Sequence, residues 1–321
     1  MFHNDYEDDF FEESQPRFQP MKRRATKSKP KPEKKESYET SQDVQHWLKL
    51  QEKEASSAKE FHPTRLDKRR DGAWLQSSLS QFYEEDLITD VLYVAKSGKE
   101  ATVFCCTAHP STQAELLAAK VYRPRMFRSL RNDAIYRMNR VVVDEFKQAM
   151  HGSRAKRVMS RKNTQARALQ VASWIAYEYE TQRLLYEAGA DVPKPYSQIG
   201  NAVLMEYVGD LERQAPLLRE VRLEREEVRP LFQRLLWNIE LFLSCNRVHG
   251  DLSEYNVLYW NGRISVIDFA QAVDPRHGEE VFPLLLRDVE RVCQFFARYG
   301  VEADAYAHAT QMWAEYVGPI G

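Results

Sequence analysis

A short polar segment, His249–Asn256, and the Asp268 that follows twelve residues after its end constrain this chain more than any other feature. Within the segment, Asp251 and Asn256 are separated by four residues. Apolar runs on both sides of Asn261-Gly262 predict a β-hairpin that leads from Asn256 to Asp268. Phosphoryl transfer requires one carboxylate at the nucleophile's hydroxyl, and an amide and a second carboxylate that hold Mg²⁺ against the phosphates. The His-Gly-Asp tripeptide alone also occurs in ordinary polar loops, but the complete spacing predicts a kinase-like catalytic loop and a metal-binding turn that begins at Asp268.

The bulk composition is that of a globular protein without a membrane span. Of the 321 residues, 43% are hydrophobic and 12% aromatic, which is enough for one large two-lobed domain with additional tails. The net charge is −1, so attraction to nucleic acid must come from local segments. The four cysteines form no C-x-x-C pair, and there is neither an 18-residue apolar run nor a basic-then-apolar start. We therefore expect a cytoplasmic protein with reduced thiols and no membrane association.

Residues 1–60 have the composition of a disordered tail. An acidic, aromatic start is followed by a lysine- and arginine-rich stretch at residues 22–35, and such a segment cannot bury enough apolar surface to fold. A second basic stretch lies at residues 154–162. Clustered positive charge attracts phosphate backbones, so these stretches are candidate RNA contacts. A solvated tail without a partner is the alternative.

The rest of the chain shows strand patterns first and helix patterns later. We expect order to begin near Asp86, with strands in the β-branched and apolar runs and helices where apolar residues recur every three or four positions. The predicted strands are residues 87–95, 101–107, 116–122 and 201–209, and the predicted helices are residues 166–188, 228–246 and 284–299. This order indicates an α+β protein with an N-terminal sheet lobe over residues 61–208 and a helical lobe over residues 209–321.

Lys120 lies inside an apolar strand, where a lysine is costly unless its charge is paired. In kinases such a lysine reaches the α- and β-phosphates and is held by a glutamate from the helix behind it. The predicted helix offers Glu178, at the edge of the face directed at the sheet, with Glu180 as the competing choice. A strand-end lysine that extends to solvent is the alternative for Lys120.

The turn between the first two strands contains Ser97, Gly98 and Lys99. It is not a Walker A loop. A short turn can nevertheless present backbone N–H groups and the Ser97 hydroxyl to phosphate oxygens. Considered alone, the turn is an ordinary hairpin connection.

Several stretches together closely resemble the RIO family of atypical protein kinases, type 1 branch. These stretches are Ser97–Phe104, Ala119–Tyr122, His249–Asn256, Ile267–Val273 and the segment from Arg287 to Arg298. The resemblance implies a small bilobal protein-kinase-like (RIO) fold without the usual activation loop, and an ATP- and Mg²⁺-dependent serine/threonine kinase.

The resemblance also implies roles for individual residues in the reaction. Asp251 would accept the proton, and Asn256 and Asp268 would bind Mg²⁺. In this branch the metal-binding aspartate also accepts the phosphoryl group, which gives an aspartyl-phosphate and an ATPase-like cycle. By position that residue is Asp268, and a carboxylate is a chemically sound nucleophile for the step.

For the nucleotide, the resemblance implies that Lys120 and Glu178 position the phosphates. Backbone groups of Glu206 and Val208 would contact the adenine at the connection between the lobes. The turn at Ser97, Gly98 and Lys99 would approach the phosphates.

The partner is less constrained than the chemistry. The segment of residues 123–167 is longer and more basic than the corresponding segment of the family pattern. The sequence does not predict the protein substrate. Eukaryotic and archaeal members are tied to maturation of the small ribosomal subunit, so a ribosomal subunit precursor is one expected partner. Two alternatives remain: an RNA- or ribosome-binding assembly factor that uses ATP as a switch, and a small-molecule phosphotransferase of the aminoglycoside or choline kinase type.

Overall fold

The computed structural model describes residues 61, 63–64, 72–98, 100–122, 142–143, 149–150 and 164–318. The helices of this part are α1 (Gly72–Glu84), α2 (Thr164–Glu187), α3 (Arg225–Ser244), α4 (Phe282–Ala297) and α5 (Ala305–Tyr316). The strands are β1 (Ile88–Ser97), β2 (Ala101–Ala108), β3 (Leu116–Tyr122), β4 (Val142–Val143), β5 (Ala149–Met150), β6 (Pro195–Ile199), β7 (Ala202–Glu206), β8 (Val257–Trp260) and β9 (Arg263–Val266). The predicted tail over residues 1–60, Lys99 and the basic stretch at residues 154–162 lie outside the described residues.

The first lobe is built on a five-stranded antiparallel sheet in the order β1-β2-β3-β7-β6. Side chains of a strand alternate between the two faces of its sheet. In β3, Leu117 and Val121 belong to the core that α1 covers, whereas Ala118 and Tyr122 belong to the core that faces α2. Lys120 shares the parity of Ala118 and Tyr122, so the strand period directs its side chain toward α2.

Order in the first lobe begins before Asp86, so the predicted starting point was wrong. Helix α1 precedes it and buries Leu75, Leu79 and Phe82 along one face. These side chains pack with Phe61 against the sheet. Three serines lower the intrinsic helix propensity of α1, so packing against the sheet, which local patterns do not show, accounts for the helix.

Four further elements, β4, β5, β6 and α5, were not predicted. The edge strand β6 begins with Pro195 and is only partly buried. Local sequence patterns predict a loop for a segment of this kind. Helix α5 is capped by Asp304, whose side chain accepts the N–H of Ala307, and it buries Met312 and Trp313. All the strands and helices that the sequence did predict are confirmed, with ends shifted by at most three residues.

The second lobe is helical, which confirms the predicted α+β organisation. Its core joins α3, α4 and α5 and includes the buried rings of Phe242, Phe269 and Phe296. None of the helices in the described ranges is both long enough and apolar enough to cross a membrane.

The predicted hairpin is present as β8 and β9, paired from Val257↔Val266 to Trp260↔Arg263. Its turn residues Asn261 and Gly262 both have positive φ, 50° and 77°, as a two-residue type I′ turn requires. The hairpin therefore returns the chain from the catalytic loop to the residues before Asp268.

Candidate active site

A cleft of ≈ 340 Å³ lies between the sheet of the first lobe and the β8–β9 hairpin. Seven of the residues predicted for nucleotide and metal binding line it: Gly98, Lys120, Glu178, Glu206, Val208, Asn256 and Asp268. Ser97 and Asp251 are not among the lining residues, and Lys99 lies outside the described ones. The structure thus gathers most of the predicted site in one place.

The apolar walls of the cleft were not predicted. They include Val103 and Ala118 from the sheet, Met205 from β7, Leu258 from β8 and Ile267, the residue after β9. Strand alternation could have found two of them, because Ala118 lies two residues before Lys120 and Leu258 two residues after Asn256. Apolar walls at one end and charged groups at the other suit a nucleotide, whose base is apolar and whose phosphates are charged.

Lys120 is paired with Glu178. Its Nζ lies 2.6 Å from Glu178 Oε1, and the other oxygen of this buried carboxylate accepts the hydroxyl of Tyr122. Glu180 is exposed on α2 and pairs with Arg183 at 2.8 Å. Of the two competing glutamates, the structure therefore brings Glu178 to the lysine. Tyr122 was missed, although it lies two residues after Lys120 on the same face of β3.

Asp268 approaches the same lysine from the other lobe. Lys120 Nζ lies 2.9 Å from Asp268 Oδ1, and the Asp268 side chain is 46% exposed. Lys120 holds the pKa of Asp268 below its usual value. Burial acts to lower the pKa of Lys120, but the charges of Asp268 and Glu178 outweigh it and keep that pKa well above the ordinary value. Both groups of the Lys120–Asp268 pair are therefore ionised at neutral pH.

Asp268 is held by an unusual backbone conformation and by α2. Its φ and ψ are 73° and 67°, in the left-handed region, where aspartate is among the few non-glycine residues that occur routinely. Two residues later, the carbonyl of Ala270 accepts the indole N–H of Trp174 at 3.0 Å. Because Trp174 and Glu178 are four residues apart, one face of α2 contacts both the turn that follows Asp268 and Lys120.

The Asn256 side chain is oriented by a hydrogen bond to the loop backbone. Its Nδ2 donates to the carbonyl of Asp251 at 2.9 Å, which leaves Oδ1 as the atom that can bind a cation. The Ile267 N–H donates to the Asn256 carbonyl at 2.9 Å, so the residue before Asp268 is tied to Asn256. Mg²⁺ prefers oxygen ligands and is held by one or two carboxylates together with substrate phosphates, so Asn256 and Asp268 in one cleft fit this ion.

The catalytic loop is fixed mainly through its backbone. The buried carboxylate of Asp288 accepts the N–H groups of Gly250 at 2.7 Å and Leu252 at 2.9 Å. Burial raises the pKa of Asp288 to about 7, although the two amide donors act in the opposite direction. Sequence reasoning assigned Asp288 no role at the site. It noted only that the surrounding helix resembles the family.

His249 is buried beside this loop and acts as a structural link. Its Nε2 lies 3.2 Å from the Ile267 carbonyl, and its Nδ1 accepts the N–H of Asp251 at 3.3 Å. Burial lowers the pKa of His249, which favours the neutral ring with the proton on Nε2 that both contacts require. The ring therefore connects the loop to the residue preceding Asp268.

The Asp251 carboxylate is outside the cleft lining and faces α4. Its Oδ1 accepts a hydrogen bond from Arg291 Nη1 at 2.7 Å, and its side chain is 50% exposed. One carboxylate oxygen is thus held by a cation, and the group remains open to an acceptor hydroxyl. The arginine was not among the predicted site residues.

The connection between the lobes carries the residues predicted to contact a base. The Glu206 N–H donates to the Lys194 carbonyl at 2.7 Å, and the Val208 carbonyl accepts the Ala215 N–H at 2.9 Å. Val208 can therefore offer its N–H rather than its carbonyl to an adenine. Gly209 follows with φ 146°, and a Cβ there would lie 2.5 Å from the carbonyl oxygen of Arg213, so the turn after the connection needs glycine.

Comparison with known proteins identifies relatives along much of this region. The model of the RIO domain matches residues 120–309. The chain is 39% identical over 140 residues to the RIO-type serine/threonine-protein kinase Rio1 of Haloferax volcanii, covering 42% of this chain and 45% of that one. It is 33% identical over 132 residues to the serine/threonine-protein kinase RIO1 of Caenorhabditis elegans, covering 41% and 26%. The chain thus spans less than half the length of these relatives.

A shorter relative is matched over most of its length. The Rio1 kinase of Thermoplasma acidophilum is 32% identical over 134 residues, which cover 42% of this chain and 69% of that one.

Solved structures show the same fold. The Rio2 kinase of Chaetomium thermophilum superposes with a TM-score of 0.52 at 17% identity, covering 88% of each chain. Its complex with ADP, Mg²⁺ and phosphoaspartate superposes with a TM-score of 0.51 at 18% identity, covering 84% of this chain and 76% of that one. These likenesses confirm the bilobal kinase-like fold. Because the RIO domain model matches more than half of its residues, this chain belongs to the RIO family.

Proposed function

We propose that this chain is an ATP- and Mg²⁺-dependent RIO-type serine/threonine protein kinase that can also turn over as an ATPase. The observation that carries the proposal is the position of Lys120, which lies 2.6 Å from Glu178 and 2.9 Å from Asp268 in one cleft. Kinases need this lysine–glutamate pair and the metal-binding aspartate in place together. Membership of the RIO family supports a protein kinase over a small-molecule phosphotransferase.

In the proposed reaction the chain mainly positions and neutralises charge. Lys120 would contact the α- and β-phosphates, and Asn256 Oδ1 and the Asp268 carboxylate would hold Mg²⁺. When bound, Mg²⁺ neutralises charge on the β- and γ-phosphate oxygens. Asp251 accepts the proton of the attacking serine or threonine hydroxyl through the carboxylate oxygen that Arg291 does not hold.

A second reaction follows from the exposure of Asp268. Its carboxylate is ionised, nearly half exposed and next to Lys120. An oxygen of Asp268 can attack the γ-phosphorus while the bond to the β–γ bridging oxygen breaks, which gives an aspartyl-phosphate and ADP. Attack by water then releases inorganic phosphate and restores the carboxylate. A phosphoaspartate is present in the Rio2 kinase complex of Chaetomium thermophilum, which supports this route.

The test is Mg-ATP turnover and autophosphorylation by the full chain. We expect Asp251→Asn to abolish transfer to serine and threonine while the protein remains folded. Asp268→Asn should abolish turnover and remove hydroxylamine-labile phosphate from the protein. Asp86→Asn is a matched control, because this exposed aspartate has a φ of 53° that asparagine tolerates equally well. Wild-type phosphorylation of serine and threonine in the Asp251 variant, or label that persists in the Asp268 variant, would contradict the corresponding step.

We further propose a cytoplasmic protein that binds RNA or a ribosomal subunit precursor through the basic stretches at residues 22–35 and 154–162. The charge of these segments in the sequence supports the idea. An assembly factor that uses ATP as a switch is the related second function. Deletion of residues 1–60 should weaken RNA binding and flatten its dependence on salt, whereas an unchanged slope would argue against a contact through the tail.

A further inference from the structure

One turn of α4 contacts the catalytic loop through three side chains. Asp288 and Arg287 bind the backbone of Gly250, by its N–H and its carbonyl respectively. Arg291, three residues after Asp288, instead binds the carboxylate of Asp251, with 2.7 Å between Nη1 and Oδ1. The first two contacts shape the loop, whereas the third acts on the group that accepts the proton.

The loop itself supplies no positive charge beside Asp251. The four residues between Asp251 and Asn256 are leucine, serine, glutamate and tyrosine. In the part of the chain that the structure describes, the ion pair of Asp251 is with Arg291. The cation therefore comes from a helix forty residues further along the chain.

Because both side chains are partly exposed, the Arg291–Asp251 ion pair affects the orientation of the carboxylate more than the stability of the fold. The side chains of Arg291 and Asp251 are 35% and 50% exposed, and exposed ion pairs contribute only about 0–1 kcal/mol to folding. A charge-assisted hydrogen bond nevertheless fixes one carboxylate oxygen in direction and distance. With Oδ1 held by Arg291, Oδ2 is the oxygen left to accept a hydroxyl proton.

From this geometry we propose that Arg291 is a positioning residue for phosphoryl transfer, which holds the Asp251 carboxylate in the orientation that accepts the hydroxyl proton. The inference rests on the proposed kinase function. It adds a residue on α4 to a reaction whose other groups lie on the sheet, on α2 and on the two loops around the hairpin.

The experiment compares Arg291→Gln, Arg291→Lys and Arg291→Ala in the full chain. Misplacement of a catalytic group by about 1 Å can cost on the order of a hundredfold in rate, so we expect Arg291→Gln to lower the kcat of phosphoryl transfer to serine and threonine roughly ten- to hundredfold. The Kd for Mg-ATP should stay within about twofold, because Arg291 does not line the cleft. Arg291→Lys should recover part of the rate. Guanidinium at low, non-denaturing concentration should partly rescue Arg291→Ala.

Arg234→Gln is the matched control. Arg234 pairs with Asp191 at 2.5 Å on α3 and lies outside the cleft lining, so its loss should leave kcat unchanged. An Arg291→Gln enzyme with wild-type kcat would overturn the proposal. A lower rate accompanied by weaker ATP binding and a lower Tm, with no rescue by guanidinium, would also overturn it. That result would show a general structural defect rather than a misplaced carboxylate. If wild-type protein fails to turn over Mg-ATP, the kinase function itself is refuted. Transfer to serine and threonine that is lost in Asp251→Asn but retained in Arg291→Gln refutes the Arg291 role alone.

Discussion

Replacement of Tyr122 by phenylalanine tests whether the hydroxyl of this tyrosine orients Glu178 toward Lys120. The hydroxyl donates to Glu178 Oε2 while Lys120 holds Oε1. Phenylalanine keeps the ring and its edge-to-face contact with Trp174, whose centroid lies 4.9 Å away. The substitution therefore removes one hydrogen bond and little packing.

The size of the effect follows from the burial of Glu178, which is 2% exposed. Water cannot replace the lost donor at such a site, and hydrogen bonds to charged groups contribute about 1.5–3 kcal/mol. At roughly 2–4 °C per kcal/mol for a protein of this size class, Tm should fall by about 3–12 °C. If the same energy is lost in the transition state, kcat falls by about tenfold to a hundredfold, since ~1.4 kcal/mol corresponds to a factor of ten.

The assay is thermal unfolding together with steady-state Mg-ATP turnover. Tyr299→Phe is the control, because among the described residues its hydroxyl makes two long contacts of 3.4 Å, with the Leu223 N–H and the Val221 carbonyl. We expect the control to change Tm by less than the Tyr122 variant and to leave turnover intact. Unchanged Tm and unchanged turnover in Tyr122→Phe would refute the idea that its hydroxyl orients Glu178.

Three further predictions concern the parts that hold the cleft together. Gly209→Ala should destabilise the protein by about 1–3 kcal/mol in denaturant unfolding, because a Cβ would meet the Arg213 carbonyl oxygen at 2.5 Å; an unchanged midpoint would contradict this. The folded pKa of Asp288 is raised to about 7, so the folded state binds the extra proton and loses stability as pH rises from about 4 to about 7. The stability of wild type relative to Asp288→Asn should therefore decrease between pH 5 and pH 7, by at most about 1.4 kcal/mol per pH unit, and a constant difference would refute it. Trp174→Phe should cost about 1–3 kcal/mol by leaving the Ala270 carbonyl without its donor at 3.0 Å, and wild-type stability in this variant would show that the contact is dispensable.

Much of this architecture could be predicted because its causes are local. The hairpin turn at Asn261-Gly262 requires positive φ at both positions, and the alternation of β3 directs Lys120 to the α2 side of the sheet. The D-x-x-x-x-N spacing places Asn256 where its side chain reaches the Asp251 carbonyl. In each case a few neighbouring residues determine the geometry.

The missed parts depend on contacts between distant segments. Helix α1 has weak propensity and is held by the sheet, and the strand β6 is recognisable only through its pairing with β7. Arg291 meets Asp251 across forty residues of sequence, a distance at which no periodicity links them. Tyr122 is the exception, because its position two residues after Lys120 already places both side chains on one face.

Two helices hold the groups of the site, and each uses one face. On α2, Trp174 and Glu178 are four residues apart, so the face that binds Lys120 also binds the turn after Asp268. On α4, Asp288 and Arg291 are three residues apart, so the face that fixes the loop backbone also fixes the Asp251 carboxylate. A helix moves as a rigid unit over one turn, and a shift of α2 therefore changes the lysine pair and the metal-binding turn together. The phosphate-binding and metal-binding halves of the site should consequently assemble or come apart in one step rather than independently.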